Sequence, residues 1–372
     1  MKKFDIILLF VALFLVGCAT SHKEYSIEEF MNTTSYGGSS FSYDEKSLLI
    51  RSNQTGINNA FEISLDSFDI TQLTFSDSNN IYPISYFPKD NRFLFRSDQG
   101  GNEIWHIYVN NLDGTVVDLT PGEKARSAFL KWSDDKEKFF FTSNKRDPKF
   151  MDLYLMDINL FVSKLIFKND EALNVSEISR NNEYVLLNKS YTRDNSDIYL
   201  YDINNNKLQK IIYDENDVNH RPTGFSLDSK SIYFLTDLNS EFNYLKKYNI
   251  QNKQVEVVQK ESWDILNSYF SENGSYRIST INEDSQTKIK IFDIKNNKML
   301  MLPNVNNGFI SSVNISDSES KLSFYHGGSR SPNDLYIKKI KGGKVQKLTD
   351  SMNPLINKNH LGEAKIIRFN SF

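Results

Sequence analysis

The chain has 372 residues, of which 13% are aromatic and 24% charged, and a formal net charge of −3. That length ordinarily suggests two or three domains, and the balanced charge excludes the basic stripe of a nucleic-acid binder. With a single cysteine, no disulfide can form within the chain.

In chain order, Lys2 and Lys3 precede an apolar run of eleven residues, Ile6 to Val16. A helix needs about 20 such residues to span a bilayer, so the run reads as a targeting segment. It ends in Leu15-Val16-Gly17-Cys18, which resembles a bacterial lipobox; Asp5 is a departure from that pattern. The resemblance implies that residues 1–18 are a lipoprotein signal peptide and lipobox, with Cys18 as the lipid-attachment residue. Ala19, in place of an Asp, implies sorting to the outer membrane of a Gram-negative bacterium, facing the periplasm. More than one acyl chain gives stable anchoring where one is marginal. Residues 19–33 are polar and read as a tether.

From residue 34 the chain repeats. A large apolar residue, usually Ser, and a polar turn recur at Phe41-Ser42-Tyr43-Asp44, Phe87-Pro88-Lys89-Asp90, Trp132-Ser133-Asp134-Asp135, Ile178-Ser179-Arg180-Asn181, Phe225-Ser226-Leu227-Asp228, Phe270-Ser271-Glu272-Asn273 and Ile315-Ser316-Asp317-Ser318. The spacings are 46, 45, 46, 47, 45 and 45 residues. A period of about 40–50 residues is one four-stranded propeller blade used repeatedly. The expected fold is therefore all-β, a seven-bladed β-propeller over residues 34–350, which overrides the multi-domain prior from length.

The second repeat shows the plan: strands at Ile81–Phe87, Arg92–Ser97, Glu103–Val109 and Val116–Thr120, with Asp113-Gly114 as the last hairpin signal. The third strand recurs as Asp152-Leu153-Tyr154, Asp197-Ile198-Tyr199 and Asp334-Leu335-Tyr336. The third blade lacks a clear final turn at Asn159-Leu160-Phe161. The first blade owns its inner strand (about Thr34 to Phe41) and the seventh its outer strand (Val345 to Thr349). No strand is left to exchange between the ends, so the ring is expected to close by side-chain packing alone.

The Ser-x-Asp turns, the Asp-Leu-Tyr third strands and the endings Leu73-Thr74, Leu119-Thr120 and Leu348-Thr349 resemble TolB-like and WD40-like propeller repeats. Ser329-Arg330-Ser331-Pro332-Asn333-Asp334-Leu335-Tyr336, followed by Asn353-Pro354 and Ala364-Lys365-Ile366-Ile367, is similar to the last blade of family S9 serine peptidases, the prolyl oligopeptidase and acylaminoacyl-peptidase group. There this pattern leads out of the propeller into an α/β-hydrolase. Residues 351–372 are accordingly expected to be an exit linker without a partner in this chain.

No catalytic residue is expected here. The nucleophile elbow Gly-x-Ser-x-Gly is missing, and Gly327-Gly328-Ser329-Arg330-Ser331 lacks the second glycine at the required place. His326-Gly327-Gly328 looks like an oxyanion-hole segment but reads as a blade loop. His22, His106, His220 and His360 have no metal-ligand spacing, so neither metal nor cofactor is expected. Asp134-Asp135 reads as a turn, Glu28-Glu29 as part of the tether, and Arg221 as a surface arginine. The leading expectation is the non-catalytic, substrate-gating propeller of an S9 peptidase whose hydrolase is missing or encoded separately. The alternative is a free-standing TolB-like lipoprotein that binds a peptide or protein; a decayed gene product is a third. The expected partners are the membrane, through the lipid, and a separate hydrolase domain or a peptide or protein ligand.

Overall fold

The computed structural model describes residues 23–302 and 308–370. Cys18 and the signal segment lie outside the described residues. The chain forms seven four-stranded antiparallel sheets, each made of strands consecutive in sequence. The inner strands are Tyr36–Phe41, Tyr82–Tyr86, Ser127–Trp132, Asn174–Ile178, His220–Phe225, Asp264–Phe270 and Phe309–Ile315. This is the seven-bladed propeller expected from the period. Helix among the described residues is limited to Ile27–Met31 and a 3-10 turn at Lys358–His360.

A blade is apolar on both faces because each face meets a neighbouring blade. Seven buried clusters fill the seven interfaces. Leu94, Ile107 and Val109 of the second blade meet Phe139, Phe141 and Met156 of the third. Leu48, Ile50, Phe61 and Ile63 of the first meet Tyr325, Leu335 and Ile337 of the seventh. Each such side chain contributes roughly 1.5–3 kcal/mol on burial, so this last cluster closes the ring.

Closure does not rest on side-chain packing alone. Asn314 Nδ2 donates to Ser39 O (2.7 Å) and Tyr325 OH to Gly38 O (2.7 Å). Ser318 N and Oγ donate to the Glu45 carboxylate (2.6 and 2.7 Å). Each of these bonds uses at least one side chain, and none needs a shared strand. As expected, no strand is exchanged between the first and seventh blades among the described residues.

Two signatures of the repeat prove to be one hydrogen-bonded unit. Asp334, buried in the first half of a third strand, accepts from Thr349 Oγ1 (3.0 Å), while Leu335 N donates to the same Thr349 oxygen (2.9 Å). Asn59 and Thr74 do the same in the first blade, with Thr74 Oγ1 donating to Asn59 Oδ1 (2.9 Å) and accepting from Ala60 N (2.8 Å). The indistinct third-blade turn is a real one: Asp157 Oδ1 accepts from Asn159 N and Leu160 N, and Phe161 takes a φ of 53°.

The tail departs from expectation. Asn353 is buried and donates from Nδ2 to Glu29 O (2.7 Å); Ile356 is buried as well. Tyr25 OH accepts from Asn357 N (2.8 Å) and bonds His360 Nδ1 (3.1 Å). Ala364 N donates to Ser329 Oγ (3.2 Å), and Arg368 pairs with Asp284. The segment from 353 to 364 thus has partners in the chain: it folds back on residues 25–29, whose helix starts with a Ser26–Glu29 capping box. Among the described residues of the tail, Leu355, Ile366, Ile367 and Phe369 are exposed apolar residues.

Candidate functional site

The seven inner strands surround an axis with two mouths. One is ringed by the Ser-x-Asp turns between first and second strands. The other carries the second-to-third-strand loops, against which the tail lies at Ser329 and Asp284.

At the turn-side mouth the serine present in six of the seven turns is a cap. Its hydroxyl accepts a backbone N–H from the second strand: Lys138 N to Ser133 Oγ (3.0 Å), Ser231 N to Ser226 Oγ (3.0 Å), Tyr276 N to Ser271 Oγ (3.0 Å). Where an aspartate stands two residues on, the same hydroxyl donates to it, at 2.6 Å for both Asp135 and Asp228. Those hydroxyl bonds, followed by backbone N–H bonds, hold both carboxyls below their ordinary value. In six of the seven blades the fourth turn residue has positive φ: Glu45, Lys136, Asn182, Ser229, Gly274 and Glu319. That conformation places turn side chains around the axis.

These side chains cross it. Lys136 of the third blade reaches Asp317 of the seventh (2.5 Å). Arg180 of the fourth lies 3.5 Å from Asp134 of the third and 3.4 Å from Glu272 of the sixth, whose backbone oxygen also accepts from it. Asn273 Nδ2 donates to Asp317 O (2.6 Å), and Glu319 accepts from Asn273 N and Ser275 N (both 3.2 Å). Beneath this belt lies a cavity of about 610 Å³ walled by the inner strands of blades 1, 2, 3 and 7. Its apolar wall includes Trp132, 5.1 Å from the Phe87 ring and donating from Nε1 to Ser85 Oγ (3.1 Å). The arrangement is a polar chamber roofed by partly exposed ion pairs; each such pair is worth about 0–1 kcal/mol.

The residues singled out from sequence fall as follows. Asp134-Asp135 forms a turn as expected, and Asp134 in addition pairs with Arg180. Glu29 belongs to a helix cap and sits 3.6 Å from Lys23. Arg221 is exposed on the fifth inner strand and donates to Leu266 O of the next blade (2.6 Å), which makes it a staple between blades. His326-Gly327-Gly328 lies in the second strand of blade 7. A Cβ on Gly327 would come within 3.0 Å of Asn333 Cα, so close strand approach explains that glycine. Ser329 Oγ accepts from the tail. Among the described residues no group of three or more His, Cys, Asp or Glu could hold a metal. Lys136, Arg180 and Asp317 were not anticipated. Their signal was present: charged residues in the variable positions of turns that otherwise repeat.

The family model for the prolyl oligopeptidase N-terminal β-propeller domain matches residues 74–351. No curated protein sequence matches the chain. Among solved structures the chain is similar to a prolyl endopeptidase studied for inter-domain dynamics in catalysis and specificity, at 12% identity and a TM-score of 0.66, covering 86% of this chain and 50% of that one. It is similar to apo prolyl oligopeptidase B from Galerina marginata, at 10% identity and a TM-score of 0.66, covering 89% and 53%. It is also similar to that enzyme bound to a 35mer hydrolysis and macrocyclization substrate, at 10% identity and a TM-score of 0.67, again covering 89% and 53%. The chain spans about half the length of these proteins.

Proposed function

The chain belongs to the prolyl oligopeptidase N-terminal β-propeller family, and on that premise we propose that it is the non-catalytic, substrate-gating part of an S9-type serine peptidase whose hydrolase is a separate polypeptide or a continuation of this one. The observation that carries the reading is the roofed axial chamber. Ion pairs from four blades cross the turn-side mouth, while the first and last described segments lie on the opposite face. A hydrolase joined at that face would receive only what passes the mouth or the rim between the two domains. Exposed Ile366, Ile367 and Phe369 suit a strand that continues into another domain. The test has two arms. Coding DNA on either side of the chain is read for a frame with Gly-x-Ser-x-Gly followed by Asp and His. The full chain, alone and then mixed with that product, is treated with a fluorophosphonate probe. Labelling of a serine in this chain would sink the non-catalytic reading.

A second reading, a free-standing peptide- or protein-binding module, is favoured by the docked tail: Tyr25, Asn353, Ile356 and His360 tie residues 353–360 to the N-terminal segment. In either reading Cys18 carries lipid and holds the propeller at the periplasmic face of the outer membrane. Cys18→Ala should release the protein from the membrane fraction and change its mass; a chain still membrane-bound and unshifted would refute the anchor.

A further inference from the structure

At the mouth on the side of the chain ends, two arginines stand outside the ion pairs. Arg51 and Arg96 hold the same repeat position, in Leu49-Ile50-Arg51-Ser52 and Leu94-Phe95-Arg96-Ser97, near the ends of the second strands of blades 1 and 2. Both guanidinium groups lie over the ring of Tyr82, at 5.6 and 5.5 Å from its centroid. Arg96 also lies 5.0 Å from the Trp105 ring, which meets Tyr82 edge-on at 5.6 Å. Arg51 donates to Asn58 Oδ1 (3.3 Å). Among the described residues neither arginine has a carboxylate partner. By contrast Arg92, Arg146, Arg180, Arg330 and Arg368 are all ion-paired. The acids nearby are committed elsewhere: Asp98 accepts from Glu103 N (2.9 Å), and Asp118 pairs with His106 (2.7 Å). Aromatic faces hold a cation in place but leave its charge unneutralised.

The two arginines, Tyr82 and the start of the third inner strand wall a cleft of about 400 Å³. Ser127, also in its wall, is only 3% exposed, and its hydroxyl has no hydrogen-bond partner. An unmet buried hydroxyl is destabilising, a cost that a ligand acceptor would remove. Two unneutralised guanidinium forks, an orphan donor and aromatic walls in one small cleft make a built site.

We propose that this cleft binds the carboxylate of a short peptide. A guanidinium presents parallel N–H donors that match a carboxylate. Ser127 supplies a further donor, and Tyr82 and Phe129 flank the peptide body. The carboxylate is either a free chain end or an Asp or Glu side chain; the chemistry is shared. This inference goes beyond gating and does not require a hydrolase, so it can fail while that reading stands.

The test titrates the full chain, in detergent, with three probes read by calorimetry: N-acetyl-trialanine with a free carboxylate, its C-terminal amide, and N-acetyl-Ala-Glu-Ala amide. At least one acidic probe should bind, and the trialanine amide should bind at least about tenfold more weakly. Which acidic probe binds assigns the carboxylate to a chain end or a side chain. Binding should weaken as salt rises. Arg51→Gln with Arg96→Gln should lower affinity by at least about tenfold without lowering the melting temperature. If that double variant does not fold, Arg96→Gln alone should weaken binding, and Arg96→Lys should weaken it less. Equal binding of acid and amide, or affinity unchanged in the Gln variants, overturns the proposal. So does failure of both acidic probes to bind up to about 10 mM; the arginines would then be left to an acidic surface of another domain.

Discussion

The two mouths of one axis are built from the same repeat and have opposite electrostatics. At the turn side, charged residues sit at left-handed or neighbouring positions of tight turns, point at each other and cancel: Lys136 with Asp317, Arg180 with Asp134 and Glu272. At the side of the chain ends, Arg51 and Arg96 stand on strands whose backbone partners are already fixed, and they meet aromatic rings. The first arrangement closes an opening by weak, exposed pairs. The second leaves charge available. A propeller can thus carry paired and unpaired charge at the two ends of one axis without altering its blades.

The largest expected effect separates two aspartates of the same blade. Asp334, on the side of the chain ends, is 4% exposed and accepts from Thr349 Oγ1, Ser351 N, Ser351 Oγ and Lys347 Nζ. Asp334→Ala strands those buried donors and should cost about 3–5 kcal/mol. Asp317, at the turn side, keeps 63% of its side chain exposed, and Asp317→Ala should cost less than about 1 kcal/mol. Chemical denaturation of both variants checks this. Equal costs would mean that the turn-side belt is structural, and the contrast between the mouths would fail.

What the sequence made legible follows from what repeats. Asn59 with Thr74 and Asp334 with Thr349 recur because blades 1 and 7 make the same bond from the third strand to the residue that ends the blade. Such bonds are local, about 15 residues apart, so their residues show at a constant period. The pair Lys136–Asp317 spans 181 residues. Nothing local fixes it; only closure of the ring brings the third turn opposite the seventh. Arg51 and Arg96 were legible in principle, as an Arg-Ser pair at one repeat position in only two blades. A repeat read for what it shares hides what differs. The tail was misjudged for a related reason: its partners, Tyr25 and Glu29, lie in a polar stretch that shows no period of its own.

The next effect tests whether the face of the chain ends depends on that tail. Deleting residues 355–372 removes buried Ile356 and the bonds from Asn357 and His360 to Tyr25. Loss of one buried aliphatic side chain and its neighbours should lower stability by about 2 kcal/mol, read as a lower melting temperature with the propeller still folded. Hydrogen exchange should rise at 25–31 and stay unchanged at the turn-side hairpins. An unchanged melting temperature would return the tail to the role of an unattached linker; loss of the whole ring would make it an integral part of the propeller.

The smallest expected effect is an order of loosening in acid. His220 is 2% exposed and neither ring nitrogen has a partner. Burial lowers its pKa, against the pull of Asp214, Asp237 and Asp197 and with a push from Lys246. Burial likewise lowers that of His326, against Asp334. A histidine depressed on folding binds a proton more readily when unfolded, so stability rises with pH across the window between the two values. Its contribution is complete above the unfolded value of 6.5 and is lost as pH falls through the folded value. Both histidines stand at the chain-end side, where their strands begin or end. At the turn side, Asp135 and Asp228 are depressed below 3.8 by the serine hydroxyls, so their contribution persists until pH falls through still lower values. Acid should therefore weaken the chain-end side first. Protection factors, corrected for the intrinsic pH dependence of exchange, should fall around His220–Phe225 and Lys321–Gly328 as pH drops below about 6.5, while residues 133–138 and 226–231 stay protected. His220→Phe should flatten part of this response, because it keeps the ring volume and removes the titration. Simultaneous loss at both mouths, or earlier loss at the turns, would show that the two ends of the axis are not independent in stability.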